Sequence, residues 1–350
     1  MSQHSTSVTV VVPSYNDEKS LPLCLEAIGA QTYPLLETLV VDDCSTDDSA
    51  RIAASAGVRV VRTPANGGAA VARNTGASCA SGEILFFVDS DVALAPDAVA
   101  NAVAKLAADP SIGAVCGIDD PDPLVLDSNV EDYRALQHHY WTLDSEGQMS
   151  FLWSAMFAIR ADVFAEIGPF NPALRYTEEV DYGFRLGQRY KLWSTSAVHG
   201  RLDHDHKLGP LLRKFFHRGR LRVPLYMRKR RFAQGYETSA RAWGAVAALL
   251  AVATIPLPLL AGLAWVAVPS ALLAGSLACD AGMYRYVFHR RGPAFTGFFV
   301  GLHFLVNLVI ASSVLAGAAQ WLVSGQFRAL YDTRAPAARP AAASTAVAGG

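Results

Sequence analysis

Residues 82–91 read Gly82-Glu83-Ile84-Leu85-Phe86-Phe87-Val88-Asp89-Ser90-Asp91. Five apolar residues follow one another without alternation, and two carboxylates spaced i, i+2 close the run. Such a run fits a strand covered on both faces, as in a parallel sheet. A turn-initiating Asp would account for one acid. The pair offers more, because Mg²⁺ or Mn²⁺ takes one or two carboxylates and completes its shell with phosphate oxygens. Apolar runs of the same kind lie at 8–12, 38–41, 58–61 and 112–116, with starts 20 to 30 residues apart. Ala-rich helical stretches (20–30, 48–56, 96–107) fill the intervals, and Pro96 suits a first helical turn. This alternation predicts an α/β fold, a Rossmann-like sandwich with a mostly parallel sheet. Ligands of such sheets sit beyond the carboxyl ends of the strands.

The polar clusters of the chain fall at those ends. The first strand runs into Pro13-Ser14-Tyr15-Asn16, the second into Asp42-Asp43-Cys44-Ser45-Thr46-Asp47. Ser45, Thr46 or Asp47 could simply cap the next helix. Capping has no need of Asp42 and Asp43, and Asp43 is expected to accept hydrogen bonds from a nucleobase or ribose. Residues 66–76 (Asn-Gly-Gly-Ala-Ala-Val-Ala-Arg-Asn-Thr-Gly) form a glycine-containing loop entering a helix that carries Arg73; the pattern is neither GxGxxG nor a Walker loop. Thr177-Glu178-Glu179-Val180-Asp181 opens a helix over 178–189. Acids there complement the helix dipole, but their crowding also raises pKa values and suits a tuned acid.

Composition sets the surroundings. The 350 residues are 51% hydrophobic and only 17% charged, well under the ~25% charge of ordinary soluble chains. The net charge of −1 conceals segregation: residues 1–206 hold 28 Asp and Glu against 13 Lys and Arg, whereas residues 207–231 hold ten Lys and Arg and no acid. Residues 242–279 and 292–327 carry no charge. At ~20 residues per crossing, the first reads as two spans and the second as one. Arg228–Arg231 before and Arg285, Arg290 and Arg291 after residues 242–279 return the chain to the cytoplasm. The basic helix around 210–222 is expected to lie in the headgroup layer rather than on nucleic acid. His303 and Asn307, one turn apart in the last span, favour a polar contact between helices over contact with a lipid substrate. The polar start of the chain shows no signal peptide, and the five scattered cysteines suggest reduced thiols. The expected organisation is a catalytic domain (1–206), a basic juxtamembrane region (207–241), about three transmembrane helices (242–327) and a disordered Ala/Pro-rich tail (328–350).

VVPSYND, VVDDCSTD, NGGAAVARNTG, GEILFFVDSD and TEEVDYGFRL stand in the order and approximate spacing of family 2 inverting glycosyltransferases of the GT-A fold, which residues 7–225 resemble. The resemblance implies a nucleotide-diphosphate sugar donor, with Pro13, Tyr15 and Asp43 holding the nucleoside and Arg73 near the donor. Asp89 and Asp91 become a DxD motif, Asp91 holding a divalent cation, Mg²⁺ or Mn²⁺, on the diphosphate. His204 and His206 lie where some members place a histidine near the metal. The family's usual Glu-Asp pair appears as Glu178-Glu179, so the catalytic base stays open between Glu179, Asp181 and Glu178. Cys44 stands where members usually have Gly, and Trp153-Ser154-Ala155 departs from the usual glycine-rich acceptor strand.

The expectation is a multi-pass enzyme of the cytoplasmic membrane, its catalytic domain facing the cytoplasm. It would transfer one sugar, with inversion, to a hydroxyl of a lipid, lipid-linked glycan or other envelope acceptor. The rivals are a polyprenyl-phosphate glycosyltransferase and a non-catalytic membrane scaffold. A processive synthase is disfavoured because its QxxRW motif is missing.

Overall fold

A computed structural model describes residues 5–229 and 238–332. In chain order the first half contains β1 (Val8–Ser14), α1 (Leu21–Gly29), β2 (Glu37–Asp42), α2 (Ser49–Ser55), β3 (Arg59–Arg62), α3 (Ala69–Cys79), β4 (Ile84–Val88) and β5 (Val92–Leu94). There follow α4 (Ala98–Ala108), β6 (Ile112–Asp119), α5 (Asn129–Leu143), β7 (Gly147–Met149), β8 (Met156–Arg160), α6 (Ala161–Ile167), α7 (Glu178–Leu186) and β9 (Lys191–Leu202). The rest is helical: α8 (Leu208–Lys229), α9 (Ser239–Ala253), α10 (Leu257–Ala261), α11 (Ala267–Ala278), α12 (Ala281–Val323) and α13 (Gly325–Arg328).

The strands form one sheet in the order β3-β2-β1-β4-β8-β6-β9-β5, with β7 also on β9. Strands β1 to β4 are parallel, as expected from the apolar runs. The sheet as a whole is mixed rather than mostly parallel. β8 inserts antiparallel between β4 and β6, and β9 receives β5 and β7 antiparallel. Between β6 and β8 the chain passes through α5 and β7 and returns antiparallel to β6. Strand order reverses at β1, between β2 and β4, and that switch point opens the cleft described below.

Side-chain alternation divides the core between the two faces. Val10, Val12, Phe86 and Val88 point to the face covered by α1 and α4, while Val11, Val41, Leu85 and Phe87 point to the other. On that second face Phe87 stacks on Phe157 at 4.8 Å, and Phe170 on Tyr182 at 4.2 Å. Met283, Val287, Phe299, Leu302 and Val306 of α12 belong to the same core.

The C-terminal helices depart from the three-span expectation. Of the described helices, only α12 is long and apolar enough to cross a membrane. It breaks at Gly292, whose φ of 80° is non-helical. Residues 293–323 are then about 46 Å of helix at 1.5 Å per residue. Both ends are tied to the sheet domain. Arg291 donates to Asp132 at 2.8 and 3.0 Å. Beyond the far end, Tyr331 donates to Thr177 Oγ1 at 2.9 Å. In between, His303 bonds Tyr133 and Asp280. Lipid would shelter the apolar side chains as well as protein does, so these polar contacts decide the helix's position. The helix is thus bound to one domain at both ends and in the middle.

Residues 242–279 do make a hairpin, of α9 and α11, 15 and 12 residues long, each short of a ~20-residue crossing. Its base is held by Arg241 to Asp144, and at its tip Leu259, Leu260 and Leu263 are more than 80% exposed. Nor does α8 lie open at a surface. It packs between the sheet domain and α12, where a Cβ on Gly317 would come 2.6 Å from Val223 and 2.8 Å from Arg220 O. The segregated charge explains this placement: the basic stretch meets acids of its own chain. Residues 230–237 and 333–350, which hold part of the basic flank and most of the Ala/Pro-rich tail, lie outside the described residues.

Candidate functional site

The cleft at the switch point has a volume of about 610 Å³. Pro13, Tyr15, Asp43, Arg73, Asp89, Asp91 and His204, placed apart in the sequence, all line it. Sequence reasoning assigned no role to Asp17, Asn66, Arg175, Asp203 or Lys214, which line it as well. Asp17 closes the quoted VVPSYND run and Asp203 precedes His204, and both could have been found as further acids at strand ends. A larger cleft, about 750 Å³ beside α1 and α2, has Glu26 as its one charged lining residue and holds no comparable constellation.

The turns after β1 and β2 are stitched together: Asn16 N donates to Ser45 Oγ at 3.0 Å, and Thr46 N to Asn16 Oδ1 at 2.8 Å. Asn16 and Cys44 both take positive φ, 51° and 65°. That conformation explains a glycine at the second position in relatives. Asp43, 2% exposed, accepts from Thr63 Oγ1 at 2.8 Å, Gly67 N at 3.1 Å and Gly68 N at 2.7 Å. Its first duty is therefore to clamp the glycine loop to β2, with one acceptor position left of about four. Gly68, at φ 83°, turns that loop into α3.

α3 delivers Arg73, 2% exposed, beneath the cleft. Arg73 donates to Asp89 Oδ1 at 2.7 Å and to Glu178 Oε1 at 3.2 Å. The Asp89–Asp91 turn is held by Asp89 N donating to Ala155 O and Asp203 N to Asp91 O, both 2.8 Å. Burial first, and then the charges of Asp89 and Asp17, push the Asp91 carboxyl well above its usual range, with Lys214 pulling the other way. Burial raises Asp17 too. Such a crowd of half-buried carboxyls has room for a cation's charge. His204, held neutral by burial, has its Nε2 buried with no hydrogen-bond partner. Among the described residues, no three His, Cys, Asp or Glu side chains close around one point.

The three acids of α7 are not equivalent. Glu178 is matched by Arg73, and Asp181 accepts from Arg185 Nε at 3.0 Å. Arg185 also donates to Ile167 O and Pro169 O, so that pair secures the loop before Phe170. Glu179 differs: burial and then the charge of Glu178 push it up to about 7, against the pull of Arg218 and Arg222. Behind the cleft, Asp119 and His138 form a fully buried pair beside Trp153. Nothing in the sequence pattern announced that pair.

Strand-end acids and a glycine loop line the cleft, while Glu178, Glu179 and Asp181 do not line it; Arg73 joins the two groups through Asp89 and Glu178. Residues 9–168 match the sequence model of Glycosyl transferase family 2, and this part of the chain is a family 2 glycosyltransferase domain. The chain is 29% identical over 190 residues to an uncharacterized glycosyltransferase of Haemophilus influenzae, covering 52% of this chain and 62% of that one. It is 46% identical over 92 residues to glycosyltransferase GlyG of Streptococcus pneumoniae, covering 25% and 31%. It thus spans less than two thirds of these curated relatives. Among solved structures, the mannosyltransferase PcManGT from Pyrobaculum calidifontis, in complex with GDP-Man and Mn²⁺, is similar with a TM-score of 0.56 at 20% identity, over 91% of this chain and 88% of that one. That likeness of fold takes in the C-terminal helices as well as the sheet.

Proposed function

We propose that the protein is a membrane-associated, metal-dependent glycosyltransferase that moves one sugar, with inversion, from a nucleotide-diphosphate donor to an acceptor hydroxyl. The observation that carries this reading is the Asp89–Arg73–Glu178 bridge. It sets the carboxyls of the cleft and the acid cluster of α7 one guanidinium apart. The half-exposed ring of Tyr15 offers a base a stacking face. Asp91, with His204 beside it, would hold Mg²⁺ or Mn²⁺, which when bound offsets charge building on the departing nucleoside diphosphate. Asp89, already bonded to Arg73, would orient that loop. Lys214 adds a fixed positive charge on the same side. Glu179 would take the proton of the acceptor hydroxyl, because its acidity near neutrality suits a general base. Glu178 and Asp181, each paired, would position it.

Membrane attachment rests on the α9–α11 hairpin, whose exposed leucines and Trp243 and Trp265 suit lipid and its interface. The sheet domain would then sit at the cytoplasmic face. Thermal unfolding with UDP-, GDP- and dTDP-sugars, each with and without Mn²⁺, tests the donor reading. At 100 times Kd a ligand adds about 2.7 kcal/mol; no metal-dependent shift with any donor would refute it.

A further inference from the structure

The connection between α6 and α7 leads into the acid cluster and is held on both sides of its middle. Arg185 takes its start, donating to Ile167 O at 2.9 Å and to Pro169 O at 2.8 Å. Asn74 of α3 then exchanges two hydrogen bonds of 2.8 Å with the main chain of Phe170. Further on, Leu174 is buried, the Tyr176 ring stacks on His217 with centres 5.5 Å apart, and Thr177 accepts from Tyr331. Between these anchors Arg175 is exposed and lines the donor cleft. Its stem crosses the glycine loop, since a Cβ on Gly68 would lie 3.9 Å from Arg175 Cγ.

Arg73, Arg175 and Lys214 are the arginine and lysine side chains lining that cleft, and two of them are already matched. Arg73 bridges Asp89 and Glu178, and Lys214 meets Asp205 at 2.6 Å. Arg175 differs. Its guanidinium donates to the neutral Asn66, to Oδ1 at 3.4 Å and to the main-chain oxygen at 3.2 Å, both longer than the ~2.9–3.0 Å of a well-made N–H···O bond. Charge-assisted bonds to carboxylate or phosphate are shorter and stronger than neutral ones, and the planar fork suits either anion. An anion entering the cleft would therefore draw Arg175 off Asn66, and with the backbone already fixed only side-chain freedom is lost. The cleft has use for such a cation. Asp17, Asp43, Asp89, Asp91, Asp203 and Asp205 all line it, so a nucleoside diphosphate enters a field of like charge that one divalent cation offsets only in part.

We propose that Arg175 is a further donor-binding residue, which leaves Asn66 to hold an anionic group of the nucleotide-sugar. This rests on the donor reading given above. Arg175 lies between the glycine loop and the helix that carries Glu179, the interval that the diphosphate and sugar of a donor would span. The anionic group is either the diphosphate or a carboxylate on the transferred sugar. In the second case Arg175 selects an acidic sugar, and the test separates the two.

The full chain in neutral detergent with Mn²⁺ is titrated calorimetrically with UDP, UDP-glucose and UDP-glucuronate, and with GDP, GDP-mannose and GDP-mannuronate. In the series that binds, Arg175→Gln should weaken at least one ligand by roughly 10-fold or more, the scale of a lost hydrogen bond to a charged group. Arg175→Lys, which keeps the charge without the fork, should recover part of that loss. The melting temperature without ligand should stay within about 2 °C, because an exposed side chain bonded to Asn66 alone contributes little to the fold. Parallel losses for the free diphosphate and both sugars assign Arg175 to the diphosphate; a loss confined to the glucuronate or mannuronate donor assigns it to the sugar carboxylate. The proposal is overturned if Arg175→Gln binds every ligand within about 2-fold of the unsubstituted chain, or if Arg175→Lys recovers nothing. A melting temperature that falls along with the affinity would also overturn it, since that marks a prop of the glycine loop. An unsubstituted chain that binds no ligand of either series refutes the donor reading itself.

Discussion

Replacing Arg73 by Met should be among the most damaging single changes in the protein, and the damage should depend on pH. Arg73 is fully enclosed and bonded to Asp89 at 2.7 Å, Glu178 at 3.2 Å and Ser154 O at 3.4 Å. Met fills similar space but leaves two carboxylates without their shared cation. Removing one partner of a buried ion pair typically costs about 3–5 kcal/mol. At roughly 2–4 °C per kcal/mol, the melting temperature should drop by roughly 6–20 °C. Burial already raises the Asp89 carboxyl, with Arg73 pulling it back; without Arg73 it rises further. A carboxyl raised on folding binds more protons in the native state, so the stability linked to it declines as pH rises from its unfolded value of ~4 through its folded value. The deficit of Arg73→Met should therefore be full at pH 8 and smaller at pH 5. Differential scanning calorimetry of both proteins in EDTA at the two pH values measures this. A deficit below about 1 kcal/mol, or one equal at both pH values, would show that Arg73 is merely packed there.

Glu179→Gln should lower kcat at least ~100-fold with nucleotide affinity nearly unchanged. In the unsubstituted enzyme kcat/KM should rise with pH through about 7, because the carboxyl pushed up to that value must lose its proton to act as base; a flat profile from pH 6 to 8 would count against it. Cys44→Gly relieves a left-handed backbone at φ 65°. It should add roughly 0.5–1 kcal/mol once glycine's extra entropy loss is deducted, read as a higher denaturant midpoint. Reporter fusions after Arg291 and after Asp332 should land on the same side of the membrane, since both segments bind the sheet domain; opposite sides would mean that α12 crosses.

The apolar runs and the acids that end them were enough to locate β1 to β4 and the cleft at their carboxyl ends. Both faces of those strands are buried and the polar residues beyond them have no packing role. Arg73 was placed near the donor by resemblance, but its bridge to Glu178, 105 residues away in sequence, depends on where α7 packs. β8 leaves no periodic mark of its own and was legible only through the resemblance around Trp153-Ser154-Ala155 to an acceptor strand. The C-terminal helices show a different limit. An apolar run of bilayer length looks the same in lipid and against a protein core, and the partners of Arg291, His303 and Tyr331 could not be read from it. The partners of the basic helix were not legible for a related reason: acids such as Asp205 and Glu179 come from the preceding domain.

The central claim is that Asp91 holds a divalent cation on the diphosphate of a nucleotide-sugar donor, and calorimetric titration of UDP- and GDP-sugars into the full chain tests it most directly. With the unsubstituted chain, Mn²⁺ should tighten binding of one donor by roughly 10-fold or more relative to EDTA. Asp91→Asn should erase that increment while the melting temperature in EDTA holds or rises, since it removes a charge from a crowded carboxyl cluster. An Asp91→Asn protein that keeps the full Mn²⁺ increment, or an unsubstituted chain that shows none, would contradict the account.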